Sequence, residues 1–239
     1  MTPTAQLIER EGFALLRSPF STQELDQITA DFTAALTTPQ RDGQAIRTRS
    51  GSAYAARNVL SLYPAAAYLW RKEPLTELLK ETLGPTCGLV RVLYFDKPPE
   101  KSWSLPWHKD LTIAVRQHLN GNRRYVKPTH KGGVPHVEAP LELLQQMLTL
   151  RIHLDDVDAD NGALQVLPSS HRSGKEPASG TPHFIRCRRG DVLTMRPLLS
   201  HCSGMSSPGT KRHRRILHLE FAATPNLEDG YRWQMFEPV

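Results

Sequence analysis

The sequence predicts a mainly β chain: one β-sandwich or barrel with a helical buttress at its N-terminal end. Two changes of pattern carry that reading. Over the first third, apolar residues such as Leu25, Ile28 and Phe32 recur at helical spacing, whereas from Gly88 onward short alternating segments lie between turns. A third observation concerns the polar faces of those segments. They carry Arg, His and Glu, which are costly inside a barrel unless paired, hydrated or coordinated, so the interior reads as a ligand cavity.

Taken in order, Gly12 ends a short first helix, and Phe13 to Leu16 reads as a strand. Ser21-Thr22-Gln23-Glu24 is a capping box that opens a helix to about Leu36. Gln40 to Ser52 is polar and turn-rich, hence a loop. Pro64 to Leu69 and Pro74 to Leu83 each begin with proline where a first helical turn tolerates it, and Gly84-Pro85 stops the second. The strands follow: Leu89 to Phe95, Leu148 to Leu154, Leu164 to Leu167, His183 to Cys187, Val192 to Met195 and Arg214 to Phe221. Asn161-Gly162, Pro168-Ser169-Ser170 and Arg189-Gly190-Asp191 punctuate them. In the last strand Leu217, Leu219 and Phe221 share one face with Arg215, and Arg214, His218 and Glu220 share the other.

The 239 residues suit a single domain, with a helical part over about 1–86 and the β core over about 88–223. No apolar run approaches the roughly 18 residues of a membrane span, and the N-terminus lacks the basic and apolar regions of a signal peptide. Cys87, Cys187 and Cys202 are too scattered for a disulfide framework, so a reducing cytoplasm is the expected compartment. The net charge of +6 is concentrated in Arg123, Arg124, Lys127 and Lys131 and in Lys211, Arg212, Arg214 and Arg215. Only Tyr125 accompanies these groups, which argues against nucleic acid and for an anionic small substrate or a solvated basic face.

His108-Lys109-Asp110 places an imidazole and a carboxylate at i and i+2, on one side of an extended segment. Joined by a second, distant His, they make the facial triad of non-haem Fe(II) oxygenases, which leaves three positions open for a bidentate 2-oxo acid and dioxygen. His201, downstream of the Gly190-Asp191 turn and the strand it opens, supplies the second imidazole. Ser203 comes two residues later, and Arg214 opens the final strand; a hydroxyl and a guanidinium are what the distal carboxylate of 2-oxoglutarate needs. Arg212 is the competitor for that clamp, but Arg214 shares parity with the polar face.

These segments together resemble the phytanoyl-CoA dioxygenase family of Fe(II)/2-oxoglutarate oxygenases from about Phe13 to Phe221. The resemblance rests on Phe95-Asp96-Lys97-Pro98-Pro99, Pro106-Trp107-His108-Lys109-Asp110, Leu154-Asp155-Asp156 through Asn161-Gly162-Ala163-Leu164, Pro168-Ser169-Ser170-His171-Arg172, Gly190-Asp191 to His201-Cys202-Ser203, and Arg214 to Phe221. It implies a double-stranded β-helix (jelly-roll, cupin-like) core, Fe(II) on His108, Asp110 and His201, and 2-oxoglutarate on Arg214 and Ser203. By position, Leu93 and Arg151 match residues that line the co-substrate pocket. Three departures stand out: the family usually writes Pro-Gly-Ser-His at Pro168 to His171, often has Gln at Lys109, and has a slightly shorter gap from the second His to the clamp arginine, where this chain offers Arg212, Arg214 and Arg215.

The activity so implied is a dioxygenase reaction that consumes O2 and 2-oxoglutarate, releases succinate and CO2, and hydroxylates an unactivated C–H bond of a small organic substrate. Asp110 speaks against halogenation, which needs a small residue at that place. His153 and His218 read as supporting or core residues, His171 and Cys202 as structural, and Trp107 as packing beside the metal motif. Arg116 to Pro140, rich in Gly, Pro and cations, reads as a lid loop suited to an anionic substrate, and Arg57-Asn58 is a further substrate-contact candidate. Two other readings stay open: a non-catalytic metal- or 2-oxoglutarate-binding sensor, and a demethylase acting on a macromolecule.

Overall fold

The computed structural model describes residues 1–37, 45–48, 51 and 53–239. Helix α1 (Pro3–Glu11) starts at Thr2, whose hydroxyl accepts from the Ala5 amide, and stops at Gly12 with φ +84°. Strand β1 (Phe13–Leu16) leads to α2 (Thr22–Thr37). Its capping box is formed: the Ser21 amide donates to Glu24 at 2.7 Å and the Glu24 amide to the Ser21 hydroxyl at 3.2 Å. Next come β2 (Ala45–Arg47), β3 (Ala53–Ala56), α3 (Val59–Leu62), a 3-10 turn (Pro64–Tyr68) and α4 (Leu75–Leu83). The β-rich part comprises β4 (Gly88–Phe95), β5 (Leu105–His108), β6 (Thr112–Ala114), β7 (Val126–Lys131), β8 (Val134–Glu138), α5 (Leu141–Gln145), β9 (Met147–His153) and β10 (Leu164–Val166). A second 3-10 turn (Ser170–Ser173), β11 (His183–Phe184), β12 (Val192–Met195), β13 (His201–Ser203), β14 (Ile216–Ala222) and β15 (Glu237–Pro238) complete it.

The major sheet runs β1-β12-β9-β14-β4-β3-β2, with β15 also paired to β4, and the minor sheet runs β11-β10-β13-β5. The strands pair antiparallel, as a jelly roll requires. Strand parity explains what each face does. Leu148, Leu150 and Ile152 of β9 and Leu217, Leu219 and Phe221 of β14 join one core with Ile28 and Phe32 of α2 and Leu75, Leu78 and Leu79 of α4. Arg151 and His218 alternate with them and line a cavity shared with residues of the minor sheet. In β4 the register skips Val90, so Leu89 and Val92 both face the helices while Arg91, Leu93 and Phe95 face the cavity.

The N-terminal third is thus a helical layer on the outer face of the major sheet, but it also contributes strands β1, β2 and β3 to that sheet. Of the loop expected over Gln40 to Ser52, Ala45–Arg47 is strand β2, and 40–44, 49–50 and 52 lie outside the described residues. The irregular lid loop expected over Arg116 to Pro140 contains a hairpin instead. β7 and β8 meet across Gly132 and Gly133 (φ +60° and +78°), and β6 extends them into a third sheet, β6-β8-β7. Among the described residues, no helix is long and apolar enough to cross a membrane.

Two buried histidines make the fold acid-sensitive. Burial, then the Arg151 cation, pushes His153 down to about 3, and burial, then Arg91, pushes His136 down to about 4. Each folded value lies below that of a free imidazole, about 6.5, so the unfolded chain takes up more protons and stability falls as pH drops through that window. At pH 5 each costs up to about 2 kcal/mol, because both folded values lie below that pH by a unit or more. We therefore expect the metal-free Tm to fall steeply between pH 6.5 and 5, above the range where most carboxylates protonate, and His153→Leu to remove about half of the share due to this pair. A scanning-calorimetry series with no slope in that window would contradict it.

Candidate metal centre and co-substrate site

The minor sheet sets the geometry of the site. β13 pairs with β5 so that His201 lies directly across from His108, and the two rings approach to 4.2 Å between centroids. Each imidazole is held the same way: Nδ1 donates to the carbonyl two residues earlier, Pro106 O at 2.8 Å for His108 and Leu199 O at 2.9 Å for His201. That fixes the tautomer and leaves both Nε2 lone pairs facing the cavity. Asp110 follows β5, its amide held by Pro197 O at 2.9 Å. Its carboxylate lies 3.9 Å from His108 Nε2 and 3.6 Å from His201 Nε2. The three potential ligand atoms all fall within 4.8 Å of one another, the only such group of three among the described residues.

Electrostatics favour a metal there. Burial would raise the Asp110 carboxyl, but His201, His218 and His108, each in its protonated form, and the Arg151 cation outweigh it and hold it below the usual carboxylate range. Burial pushes His201 down to about 4 against the opposing pull of Asp110, so it presents a neutral imidazole. Two imidazoles with Nε2 turned inward and a carboxylate on one side of a cavity are a donor set that suits Fe(II).

All seven residues singled out from the sequence line one cavity of about 500 Å³: Leu93, His108, Asp110, Arg151, His201, Ser203 and Arg214. Of the three candidate arginines only Arg214 enters it. Arg212 lies outside, bidentate on Asp158 at 2.9 and 3.0 Å, and Arg215 is held by Asp155 at 2.6 and 2.9 Å. Arg214 is 2% exposed; one guanidinium nitrogen donates to the Gly162 carbonyl, while its Nε has no partner. Burial, then the neighbouring Arg151, pushes it down to about 9, a mark of a cation without a counter-ion. Gly162, at φ +71°, allows this packing, since a Cβ there would sit 2.6 Å from Gly204 O and 2.9 Å from Lys97 Nζ.

Sequence reasoning missed Lys97 as a site residue. Fully buried, its ammonium donates to Ser203 Oγ at 3.2 Å, to Gly162 O at 3.3 Å and to Gly204 O, so it fixes the hydroxyl beside Arg214. A network along the major sheet was also missed. Cross-strand register places His218 opposite Arg151 and Glu220 opposite Arg91. Arg151, always a donor, gives a hydrogen to His218 Nδ1 at 3.3 Å, so His218 carries its own proton on Nε2, which faces Glu220 at 3.4 Å. Arg91 reaches the same Glu220 oxygen at 3.4 Å.

Two of the departures, at Ser169 and Lys109, have local physical accounts. Ser169 adopts φ +64°, the left-handed conformation that glycine takes without strain, and offsets the cost with bonds from its amide to Glu11 O and from its hydroxyl to Arg10 O. Lys109 points away from the cavity and donates to Ser170 O, Ser173 Oγ and Gly174 O at 3.0, 2.8 and 2.6 Å, tying β5 to the second 3-10 turn. His171 sits against Glu9 O at 3.3 Å, outside the cavity, and His153 is buried against Asp191 O. Trp107 is 44% exposed and does not pack beside the metal motif as expected.

A jelly roll whose cavity joins two imidazoles and a carboxylate to a bare buried guanidinium defines the class of non-haem iron enzymes that use a 2-oxo acid. The sequence profile of that class described as Phytanoyl-CoA dioxygenase (PhyH) matches residues 8–213, and the chain belongs to this family. It is therefore an enzyme of the non-haem iron, 2-oxoglutarate-dependent kind, with Fe(II), 2-oxoglutarate and O2 as its cofactor and co-substrates. Solved structures agree on the fold. EctD from S. alaskensis with bound Fe superposes with a TM-score of 0.71 at 18% identity, over 93% of this chain and 76% of that one. HygX from Streptomyces hygroscopicus with nickel and 2-oxoglutarate bound gives 0.62 at 15% identity, over 93% and 87%. SnoK, a non-heme alpha ketoglutarate dependent carbocyclase from nogalamycin biosynthesis, gives 0.67 at 14%, over 96% and 89%. No curated protein matches the chain in sequence.

Proposed function

We propose that this enzyme hydroxylates an unactivated C–H bond of a small organic molecule. His108, Asp110 and His201 would hold Fe(II), Arg214 and Ser203 would take the distal carboxylate of 2-oxoglutarate, and Arg151 and Leu93 would line the co-substrate's place. The observation that carries the reading is the convergence on one cavity of three inward donors and a buried guanidinium with an unpartnered Nε. When bound, iron and 2-oxoglutarate supply oxygen activation coupled to loss of CO2 and formation of succinate.

The protein's part is positional. The Pro106 and Leu199 carbonyls hold the two imidazoles with Nε2 forward, and Lys97 holds the Ser203 hydroxyl toward Arg214's neighbourhood. The His218–Glu220 pair orients Arg151, and Phe95, Trp103 and Leu105 give the cavity an apolar wall. Asp110 occupies the position that halide chemistry would need empty, which supports hydroxylation. A cavity of about 500 Å³ suits a small molecule beside the co-substrate better than a macromolecule. Three free cysteines support placement in the reducing cytoplasm.

Anaerobic addition of Fe(II) and 2-oxoglutarate tests the reading. The expected result is a weak visible charge-transfer band in the wild type, at one iron per chain, and no band with Asp110→Ala. Iron binding without a band would mean that 2-oxoglutarate does not reach the metal, and the sensor reading would replace this one.

A further inference from the structure

The cavity holds more positive charge than iron and 2-oxoglutarate explain. Five cationic side chains line it, Arg57, Arg91, Lys131, Arg151 and Arg214, against two carboxylates, Asp110 and Glu220, which leaves an excess of three. Fe(II) and 2-oxoglutarate bring two charges of opposite sign and cancel, so the loaded cavity keeps that excess. Arg214 and Arg151 belong to the co-substrate region, and Arg91 is paired with Glu220. Arg57 and Lys131 remain, and among the described residues neither has a carboxylate within ion-pair distance.

Their placement is built rather than incidental. Arg57 follows β3, and Lys131 ends β7 at the hairpin turn. The turn is fastened to the β3 end: Asn58 Nδ2 donates to Gly132 O at 2.8 Å, and a Cβ on Gly132 would lie 3.4 Å from Arg57 Cβ. Lys131 Nζ donates to Thr112 Oγ1 at 2.7 Å, which holds the ammonium at the cavity wall. Burial, then Arg91, lowers the Arg57 value, and burial, Arg91 and Arg57 lower that of Lys131, as expected of cations held together. Two other cations of the 116–140 segment are engaged elsewhere, Arg124 with Glu228 and Glu142 and Lys127 with Glu138, and Arg116 and Arg123 do not line the cavity. Tyr54, Phe95, Trp103 and Leu105 supply aromatic and apolar parts of the same cavity lining.

We propose that Arg57 and Lys131 form the anion subsite of the substrate, and that the substrate is a small organic acid, a carboxylate or phosphate on an apolar or aromatic body. This rests on the oxygenase reading above. The β7–β8 hairpin then acts as the wall that delivers Lys131, and its attachment to Asn58 sets the distance between the two cations.

The test uses the full chain loaded anaerobically with Fe(II) and 2-oxoglutarate. Phenylacetate, hydrocinnamate, hexanoate and N-acetylphenylalanine are titrated calorimetrically, each beside its primary amide, together with phenyl phosphate. At least one acid should bind about tenfold or more tightly than its amide, since each charge-assisted contact outweighs a neutral one. The preferred anion chooses between carboxylate and phosphate. Arg57→Gln and Lys131→Gln should each cut the acid preference, and the double variant should bring the ratio near one, with the loss confined to the acid. No preference for any acid, a preference that survives the double variant, or a loss that falls on 2-oxoglutarate affinity instead would each overturn the assignment. Failure of 2-oxoglutarate to bind the wild type would overturn the oxygenase reading and this inference with it.

Discussion

Arg214→Met is expected to raise the Kd for 2-oxoglutarate about a hundredfold while iron binding stays at one per chain. The guanidinium is 2% exposed, and its Nε lacks a partner, so a carboxylate arriving there gains a charge-assisted contact in a site shielded from water. Loss of such a contact costs roughly 3 kcal/mol, and about 1.4 kcal/mol is a factor of ten. The same substitution should leave the Tm of the ligand-free protein unchanged or raise it. Burial and the adjacent Arg151 already disfavour this cation, pushing it down to about 9, and removing an uncompensated buried charge relieves that cost. Opposite signs for binding and stability distinguish a ligand-binding cation from a structural one. A variant that binds 2-oxoglutarate normally, or that unfolds, would show that Arg214 serves the fold.

The largest stability effect is expected at Trp70. It lies between the first 3-10 turn and α4, fully buried, and meets Phe221 of the major sheet edge-on at 5.8 Å between ring centroids. Trp70→Ala removes the largest of the fully buried side chains from the helix–sheet contact and should cost about 3–5 kcal/mol. The indole nitrogen, however, is buried without a hydrogen-bond partner. Trp70→Phe, which keeps the ring and discards that unsatisfied group, should therefore cost under about 1.5 kcal/mol. Urea unfolding of both variants checks the pair; equal losses would mean that the indole N–H does contribute.

The metal motif was legible because its chemistry needs residue types that strand parity displays openly: His108 and Asp110 two apart, and Arg214 on the same face as His218 and Glu220. The choice of Arg214 over Arg212 followed from that parity, and the structure sends only Arg214 into the cavity. What escaped lacked a local pattern. β7 (Val126–Lys131) is mostly exposed, contains Pro128 and has a register shift, so no apolar alternation marks it. The Gly132-Gly133 pair was a hairpin signal all the same, and it was read as loop composition. Lys97 escaped because its role depends on carbonyls at Gly162 and Gly204 that only the closed barrel brings to it. Trp107 was misplaced because adjacence to a ligand says nothing about which way an alternating strand turns the next side chain: His108 faces in and Trp107 faces out.

The pairing of His108 with His201 also bears on how the protein is made. Those two proposed ligands are brought together only when β5 meets β13, and the major sheet behind them needs β14 between β4 and β9. A nascent chain still on the ribosome, with β13 and β14 unsynthesised, offers iron one imidazole and one carboxylate, a pair with little hold on the ion. On that assignment, loading follows closure of the barrel, and capture of iron would report completed folding.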